Sequence, residues 1–563
     1  MTAEHFDAVV IGSGFGGAVS AYRLSEAGYK VCLLERGKRY PPGSFPRAPF
    51  DVNRNFWNPS EGGHGLFQAW SFPGIESVVS AGLGGGSLIY ANVLLRKDEK
   101  WFVHEEPGQP GFESWPVDRP TLDPHYKNVE AILKPQTYPF DLPPYDSTAK
   151  TLAFKRASER AGLKWDLPPL AVTFANPGQD PVPGVPIIEE FPNIHGQMRF
   201  TCRLVGECDV GCNFGAKNSL DYNYLTLAHR LGADIRTLCE VRSFAPRDRG
   251  FSVRYVEHLP QAEYQLTDTA ALEQVELTTD RLVLSAGVFG TTYLLLKNRH
   301  NFPGLSAELG RRFSGNGDLL GFIRGVKDEN LDPTYGPVIT STVRMPDALD
   351  GDSAGGRGFY IQEGGFPAFG AWALEAVDAP ALAVRALHFA VRRLREKLDN
   401  SPKSDLGGEV EQLLGDARSS AGLMVMLGMG RDRPTGNFTL NDRWLQLDWN
   451  RSQSADYFDA VKDAMSDIAR DMNGQFTVNP LDHFAKTVTV HGLGGCPMGL
   501  NSKEGVVDTF GRVFNHPGLF VADGSVMPGP VGPNPSLTIA ALADRFSDEM
   551  TNKVISQAVE SPR

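Results

Sequence analysis

Three things are scarce in this chain, and each scarcity removes a class of protein. Among 563 residues there are six cysteines (Cys32, Cys202, Cys208, Cys212, Cys239 and Cys496), too few for a disulfide-built scaffold. No apolar run approaches the ~20 residues needed to span a bilayer; the longest, such as residues 423–429, fall far short. Basic residues are outnumbered, 55 Lys and Arg against 67 Asp and Glu, giving a formal net charge of −12 that argues against a nucleic-acid binder. The opening MTAEHFDAVVIG lacks the basic-then-apolar pattern of a secretory signal, so the expected location is the cytoplasm and the expected thiols are reduced. Glycine (60) and proline (40) are plentiful but without period, which excludes collagen-like repeats and points to many tight turns. The length exceeds what one core supports, so two or more domains are expected.

Residues 7–12 (DAVVIG) read as a buried strand, and they run into Gly12-Ser13-Gly14-Phe15-Gly16-Gly17. AVSAYRLSEAG follows with Val19, Tyr22 and Leu24 on one side of a helix, and the apolar run Val31-Cys32-Leu33-Leu34 then ends in Glu35. Strand, glycine turn, helix, strand and acid fall within about the thirty residues of a dinucleotide-binding unit. Gly12 permits the tight turn, Gly14 lets backbone approach a pyrophosphate, and Gly17 lets helix and strand pack closely. The helix N-terminus offers N–H groups and a positive dipole end, and Glu35 can accept from ribose hydroxyls. The unit serves NAD or FAD equally. A second cluster, Gly82-Leu83-Gly84-Gly85-Gly86-Ser87, with Tyr90 and Asn92 just beyond, is suited to backbone lying flat on a ligand.

Farther along, residues 281–290 (RLVLSAGVFG) read as a strand leading to a glycine turn and a helix. Near the C-terminus stand Val490-His491-Gly492-Leu493-Gly494-Gly495-Cys496, then Val521-Ala522-Asp523-Gly524-Ser525, then Gly532-Pro533-Asn534-Pro535-Ser536. In this order the motifs resemble the glucose-methanol-choline (GMC) flavoprotein oxidoreductases, most nearly the bacterial cholesterol oxidase branch. The resemblance implies an α/β fold: a Rossmann-type FAD-binding domain built from discontinuous segments (1–100, 200–310 and 486–563). An α+β cap of antiparallel sheet plus helices (101–199 and 311–485) would form the substrate pocket. It implies that Gly12, Gly14, Gly17 and Glu35 hold the ADP half of FAD and that Gly82, Gly85 and Ser87 lie along the diphosphate and flavin. Val241 would touch adenine through backbone, Asp523 and Gly524 would reach the ribityl or diphosphate, and Asn534 and Pro535 would sit beside the flavin ring. Phe15, Gly16, Arg36, Gly86, Asn92, Ala286, Gly287 and Ser536 complete the expected contacts.

Alcohol oxidation needs a base on the O–H while the C–H bond points at the flavin. Histidine suits this because its unperturbed pKa is near 6.5. The resemblance makes His491 the base and Asn534 its partner, able to donate or accept at the substrate oxygen. The other histidines read as structural, with His483 alone kept in view. Glu363, in FYIQEGGFP, resembles the glutamate that moves a proton when a 3-keto-5-ene steroid isomerises. Its expected setting is apolar, which would raise its pKa, and the competing reading is a solvent-facing strand glutamate.

Residues 381–398 carry Leu387, Val391, Leu394 and Leu398 at helical spacing with arginines elsewhere. This is either a cap helix or an interfacial helix making transient membrane-surface contact. Cys202, Cys208 and Cys212 match neither a zinc site nor the usual iron–sulfur spacing, so buried thiols or one disulfide are expected, and no metal. The expected partners are a small-molecule alcohol, best a sterol or similarly bulky apolar one, and O2 or another electron acceptor. The rivals are a GMC enzyme of sugar, aryl or terpenoid alcohols, an NAD-dependent dehydrogenase, and a non-enzymatic flavin-binding protein.

Overall fold

The first apolar run becomes the strand Glu4–Ile11, whose last four residues are all buried. In the computed structural model, which describes residues 3–47, 55–105, 111–326, 331–351, 356–367, 423–479, 481–482 and 486–551, it lies inside a seven-stranded sheet. Val31–Leu34 runs parallel on one side of it and Gln274–Leu284 on the other. Asp234–Arg236 extends the sheet beyond Val31–Leu34, and Leu519–Val521 pairs in parallel with Gln274–Leu284. The hairpin of Cys239–Pro246 and Phe251–Glu257 adds antiparallel strands at the far side. Strands this apolar require cover on both faces, and Phe15–Glu26 and Ser536–Met550 supply part of it. One Rossmann-like sheet is therefore drawn from both ends and the middle of the chain, as the motif positions implied.

A second sheet has six antiparallel strands in the order Trp165–Asp166, Thr342–Met345, Phe359–Gly364, Met424–Gly430, Leu319–Arg324, Gln475–Val478. The helices Ala149–Arg160 and Ala455–Asp471 pack on it. Pleating divides the strand Phe359–Gly364: Phe359 and Ile361 join Met424, Met426, Val461 and Met465 in the helix-covered core. Tyr360 turns the other way, onto Trp101 and Met429. A third, small sheet joins Phe67–Phe72 and Ile75–Ser80 to Thr487–Thr489, which ends two residues before His491.

Two expectations change here. The helix Arg119–Leu133, placed with the cap on sequence, packs instead on Ser536–Met550. Its stripe of Leu122, Tyr126, Val129 and Leu133 has helical spacing and belongs to the core of the parallel sheet. Glu363 is neither solvent-facing nor in an apolar setting, as described below. Residues 381–398 and His483 lie outside the described residues.

Candidate active site

The first glycine turn is built by close approach of backbones. Gly12 has φ +97°, and a Cβ there would lie 2.3 Å from the Ser285 carbonyl oxygen. Gly16 and Gly17 are equally hemmed in, by the Ala522 and Gly12 carbonyls, so both serve close packing of the helix; both were also expected to contact the cofactor. Gly14 differs: no atom lies within 4 Å of its would-be Cβ, and it begins a helix that no side chain caps. Glu35 braces the turn rather than standing apart from it. Its carboxylate accepts from the Ser13 N–H (3.1 Å), the Ser13 hydroxyl (2.6 Å) and the Gly37 N–H (2.8 Å). The Ser13 hydroxyl oxygen in turn accepts from the Gly84 N–H at 3.0 Å, tying the two glycine clusters together. A Cβ on Gly85 would fall 2.6 Å from the Gly14 Cα, whereas Gly86 is exposed with open space. Gly82 packs on Leu88 and Tyr40, and the Ser87 hydroxyl is used internally, donating to Gly84 O (2.7 Å) and accepting from Leu220 N–H.

The donor set of this cradle fits a dinucleotide. An uncapped helix N-terminus with no acidic residue in its first turn is an anion site. Asn92 is buried at φ +71° with neither amide atom partnered, and the Tyr90 hydroxyl is also buried without a partner. Buried polar groups are mostly hydrogen-bonded, and these two side chains keep their bonding capacity for a ligand. Next to Glu35, Arg36 lies over Trp57 (5.8 Å), its guanidinium lowered by burial while Glu35 and Glu240 pull it back. The segment from Arg236 to Cys239 runs beside Glu35 and leads into the strand Cys239–Pro246, which carries Val241.

Asp523 requires a correction. Its carboxylate accepts from the Gly287 N–H (2.9 Å), Thr291 hydroxyl (2.5 Å), Ser525 N–H (2.9 Å) and Ser525 hydroxyl (2.5 Å). Four donors fill its acceptor capacity. Its side chain therefore fastens the start of Gly287–Asn298, and only backbone remains for a cofactor. The neighbouring Ala286 N–H goes to the Thr291 hydroxyl (3.0 Å), and Gly524 is packed between Ile539, Leu493 and Val288. Ser536 is buried and Pro535 is the N-cap of Ser536–Met550, a second helix with no side-chain cap, starting directly after Asn534.

His491 is held by a residue that sequence reasoning missed. Its Nδ1 lies 2.8 Å from Asp318 Oδ1, and Asp318 is 1% exposed. The other carboxylate oxygen accepts from the Thr489 hydroxyl (2.9 Å), the Val490 N–H (2.9 Å) and the His491 N–H (3.2 Å). A carboxylate surrounded this way has only acceptors to offer, so Nδ1 carries the proton and Nε2 is left as the acceptor. Asn534 is likewise fixed from elsewhere: Gln362 Nε2 donates to its Oδ1 at 2.9 Å. That leaves Nδ2 as the working end of Asn534, a donor only, and not the two-way group expected.

Glu363 points away from this pair. Being next to Gln362 in a pleated strand, it faces the helix-covered side with Met426 opposite it. It is fully buried and bonded to Lys150 Nζ (2.6 Å), itself fully buried, with the N–H and hydroxyl groups of Thr340 and Ser341 as further donors. Thus Gln362, and not Glu363, is the residue of this strand that meets Asn534.

The turn Cys208–Val210 packs against Gly85–Leu88. Lys217 Nζ ties them, donating to Cys208 O (2.7 Å), Tyr90 O (2.8 Å) and Leu88 O (3.0 Å), and burial pushes its ammonium down to about 8. Asp209 is open to water yet walled by protein; desolvation raises its carboxyl to about 6 against the pull of Lys217 and His491. Cys202, Cys208 and Cys212 are free thiols, and burial raises Cys208 to about 11. Among the described residues no group of three or more His, Cys, Asp or Glu is arranged to hold a metal, and no helix is long and apolar enough to cross a membrane.

Comparison with known proteins follows this geometry. A family described as GMC oxidoreductase matches residues 430–543, and one described as NAD(P)-binding Rossmann-like domain matches residues 10–50. A cholesterol oxidase of Mycobacterium tuberculosis is 28% identical over 97% of this chain and 91% of the relative. A cholesterol oxidase of Acinetobacter baumannii is 26% identical over 96% of this chain and 93% of the relative. Among solved structures, the formate oxidase of Aspergillus oryzae RIB40 superposes with a TM-score of 0.58, at 14% identity, over 97% of this chain and 98% of that one. With one match on the first glycine turn, the other taking in the His491 and Asn534 loops, and relatives spanning nearly the whole length, the chain belongs to the GMC oxidoreductase family of FAD-dependent oxidases and dehydrogenases of CH–OH donors.

Proposed function

We propose that this enzyme oxidises a sterol, or a similarly bulky apolar alcohol, to the ketone or aldehyde, with FAD bound in the glycine cradle. The carrying observation is His491, whose Nδ1 is occupied by Asp318 so that Nε2 stands as a base. Nε2 takes the hydroxyl proton, and the imidazolium so formed is stabilised by Asp318 at 2.8 Å. Asn534, its Oδ1 taken by Gln362, donates from Nδ2 to the substrate oxygen and fixes the alcohol's orientation. Bound FAD supplies the two-electron acceptor for the hydride, which no side chain here can provide. Gly14 and the helix start behind it hold the diphosphate, Glu35 and Val241 the adenosine end, Gly86 and Asn92 the flavin end, and the backbone of Gly287, Asp523 and Gly524 the ribityl chain. Pro535 and Ser536 lie with Asn534 beside the ring.

Likeness to cholesterol oxidases supports the apolar substrate class. The pleat of Phe359–Gly364 limits the reaction, because the residue facing Asn534 is the amide Gln362, which cannot carry a proton between carbons. A sterol is therefore released as the unconjugated 3-keto-5-ene. A second reading, a small polyhydroxy alcohol, is favoured by Asp209, a water-accessible acceptor that feels His491. Anaerobic mixing of the purified flavoprotein with cholesterol in detergent, hexadecan-1-ol and a hexitol separates these. Cholesterol or hexadecanol is expected to bleach the bound flavin, and His491→Ala to slow bleaching by roughly 10²–10⁴-fold with FAD retained. Bleaching by the hexitol alone selects the second reading, and a flavin unmoved by any alcohol refutes both. Admitting oxygen afterwards shows whether O2 or another acceptor takes the electrons.

A further inference from the structure

His491 and Asn534 come from different loops, yet both are fixed by one short segment that neither motif includes. Residues 314–318 (SGNGD) precede the strand Leu319–Arg324. Asp318, at the end of this segment, holds the His491 ring and the N–H groups of Val490 and His491. Ser314, at its start, exchanges backbone bonds with Leu493, giving 3.0 Å and 2.9 Å. Asn316, in the middle, reaches the other loop. Its Nδ2 donates to Gly532 O and Pro533 O, both at 3.2 Å, and its Oδ1 accepts from the Gly532 N–H at 2.9 Å. Asn534 is the next residue.

The segment has little freedom of its own. Asn316 and Gly317 are consecutive left-handed residues, φ +54° and +66°, a conformation that asparagine and glycine bear best. Tyr457 donates to Gly317 O at 2.9 Å and stands where a side chain at 317 would go. Asp432 fixes the other end, accepting from the Ser314 hydroxyl and from the Gly315 N–H (3.1 Å), while the Ser314 oxygen accepts from the Asn316 N–H (2.9 Å). Ser314, Asn316, Asp318 and Asp432 are each 0–1% exposed. Water therefore offers no alternative partner if one bond is lost, and a shift at 316 is passed to 318 over two residues.

We propose that residues 314–318 are a positioning strap for the catalytic pair, with Asn316 setting the Asn534 loop, Asp318 setting His491, and Asp432 fixing the strap between them. This rests on the assignment of His491 and Asn534 above. None of the three touches substrate in this role; each acts through another residue.

The test uses the FAD-loaded full chain with two isosteric changes, Asn316→Asp and Asp432→Asn. The first keeps the acceptor for the Gly532 N–H but removes both donors to the 532 and 533 carbonyls. Hydrogen–deuterium exchange followed by mass spectrometry reads the amides of residues 488–494 and 530–535 in the resting enzyme. Exchange is expected to quicken in both segments for both variants. Anaerobic flavin reduction by hexadecan-1-ol and by cholesterol is expected to lose about 100-fold in kcat with little change in KM, the scale of a misplacement near 1 Å. Adding Asn316→Asp to Asn534→Ala should cost less than about threefold more, because the two act in series. Faster exchange confined to 530–535, or an Asn316→Asp variant within about threefold of wild-type kcat, overturns the proposal. If wild-type flavin is reduced by neither alcohol, the substrate reading fails while the exchange pattern still decides the strap. Should Asn316→Asp fail to fold, Asp432→Asn carries the same readouts.

Discussion

Asp318→Asn is the sharpest perturbation of this site, because the variant is isosteric and the structure dictates which way the new amide must face. In the native site one carboxylate oxygen meets a single donor, His491 Nδ1 at 2.8 Å, and the other meets three, at 2.9, 2.9 and 3.2 Å. An amide has only one acceptor oxygen. With its NH2 turned toward Thr489, Val490 and His491, two backbone N–H groups lose their acceptor, at about 1–3 kcal/mol each. Turned the other way, the oxygen keeps all three donors and NH2 faces only the imidazole. The second orientation wins by several kcal/mol. It also presents a donor to Nδ1, which drives the ring proton to Nε2 and removes the base. The same tautomer reversal in a Ser-His-Asp triad lowers kcat by about 10⁴, equivalent to roughly 5.5 kcal/mol of barrier. Anaerobic stopped-flow reduction of the bound flavin should therefore slow by about 10³–10⁴-fold, with FAD content unchanged. A loss smaller than about tenfold would refute the assignment of Nε2 as the base and Asp318 as the residue that sets it.

Two further outcomes follow from buried ionisable groups. Lys150→Met alone should destabilise the protein by about 3–5 kcal/mol in urea unfolding, since Glu363 is left charged in the core. Adding Glu363→Gln should restore most of that, and kcat per bound flavin should stay near wild type in both; a large kcat loss on Glu363→Gln alone would return Glu363 to the chemistry. Asp432 is raised by desolvation from 3.8 to about 7, so the folded state binds its proton more tightly than the unfolded chain. Stability from this group is fully present below pH 4 and falls as pH rises toward 7, by roughly 4 kcal/mol at most. Chemical denaturation of Asp432→Asn between pH 5 and 8 should show a shallower decline than wild type; equal slopes would count against the buried titration.

What sequence could tell depended on whether backbone or side chain does the work. The glycine turn from Gly12 to Gly17 was legible because consecutive backbone makes it, and spacing within one segment is visible directly. Rossmann-like strands were legible for a related reason: a sheet covered on both faces demands unbroken apolar runs. The slip from Gln362 to Glu363 has the opposite cause. All six residues of Phe359–Gly364 are buried, so no alternation of polar and apolar marks the phase of the pleat, and a shift of one exchanges the face toward Asn534 for the face toward Lys150. Asp523 misled because an acid in a glycine-rich stretch looks the same whether it serves a ligand or fastens a helix. Asp318 was out of reach altogether: 173 residues separate it from His491, and an aspartate before a strand has no signature until the partner loop is in place. The glycine turns lie in motifs that can be read locally, whereas the groups that orient His491 and Asn534 lie on the strand and segment supporting them. The tautomer of His491 is therefore set by Asp318, a residue of the expected cap region, so the His491 loop and the cap cannot vary independently.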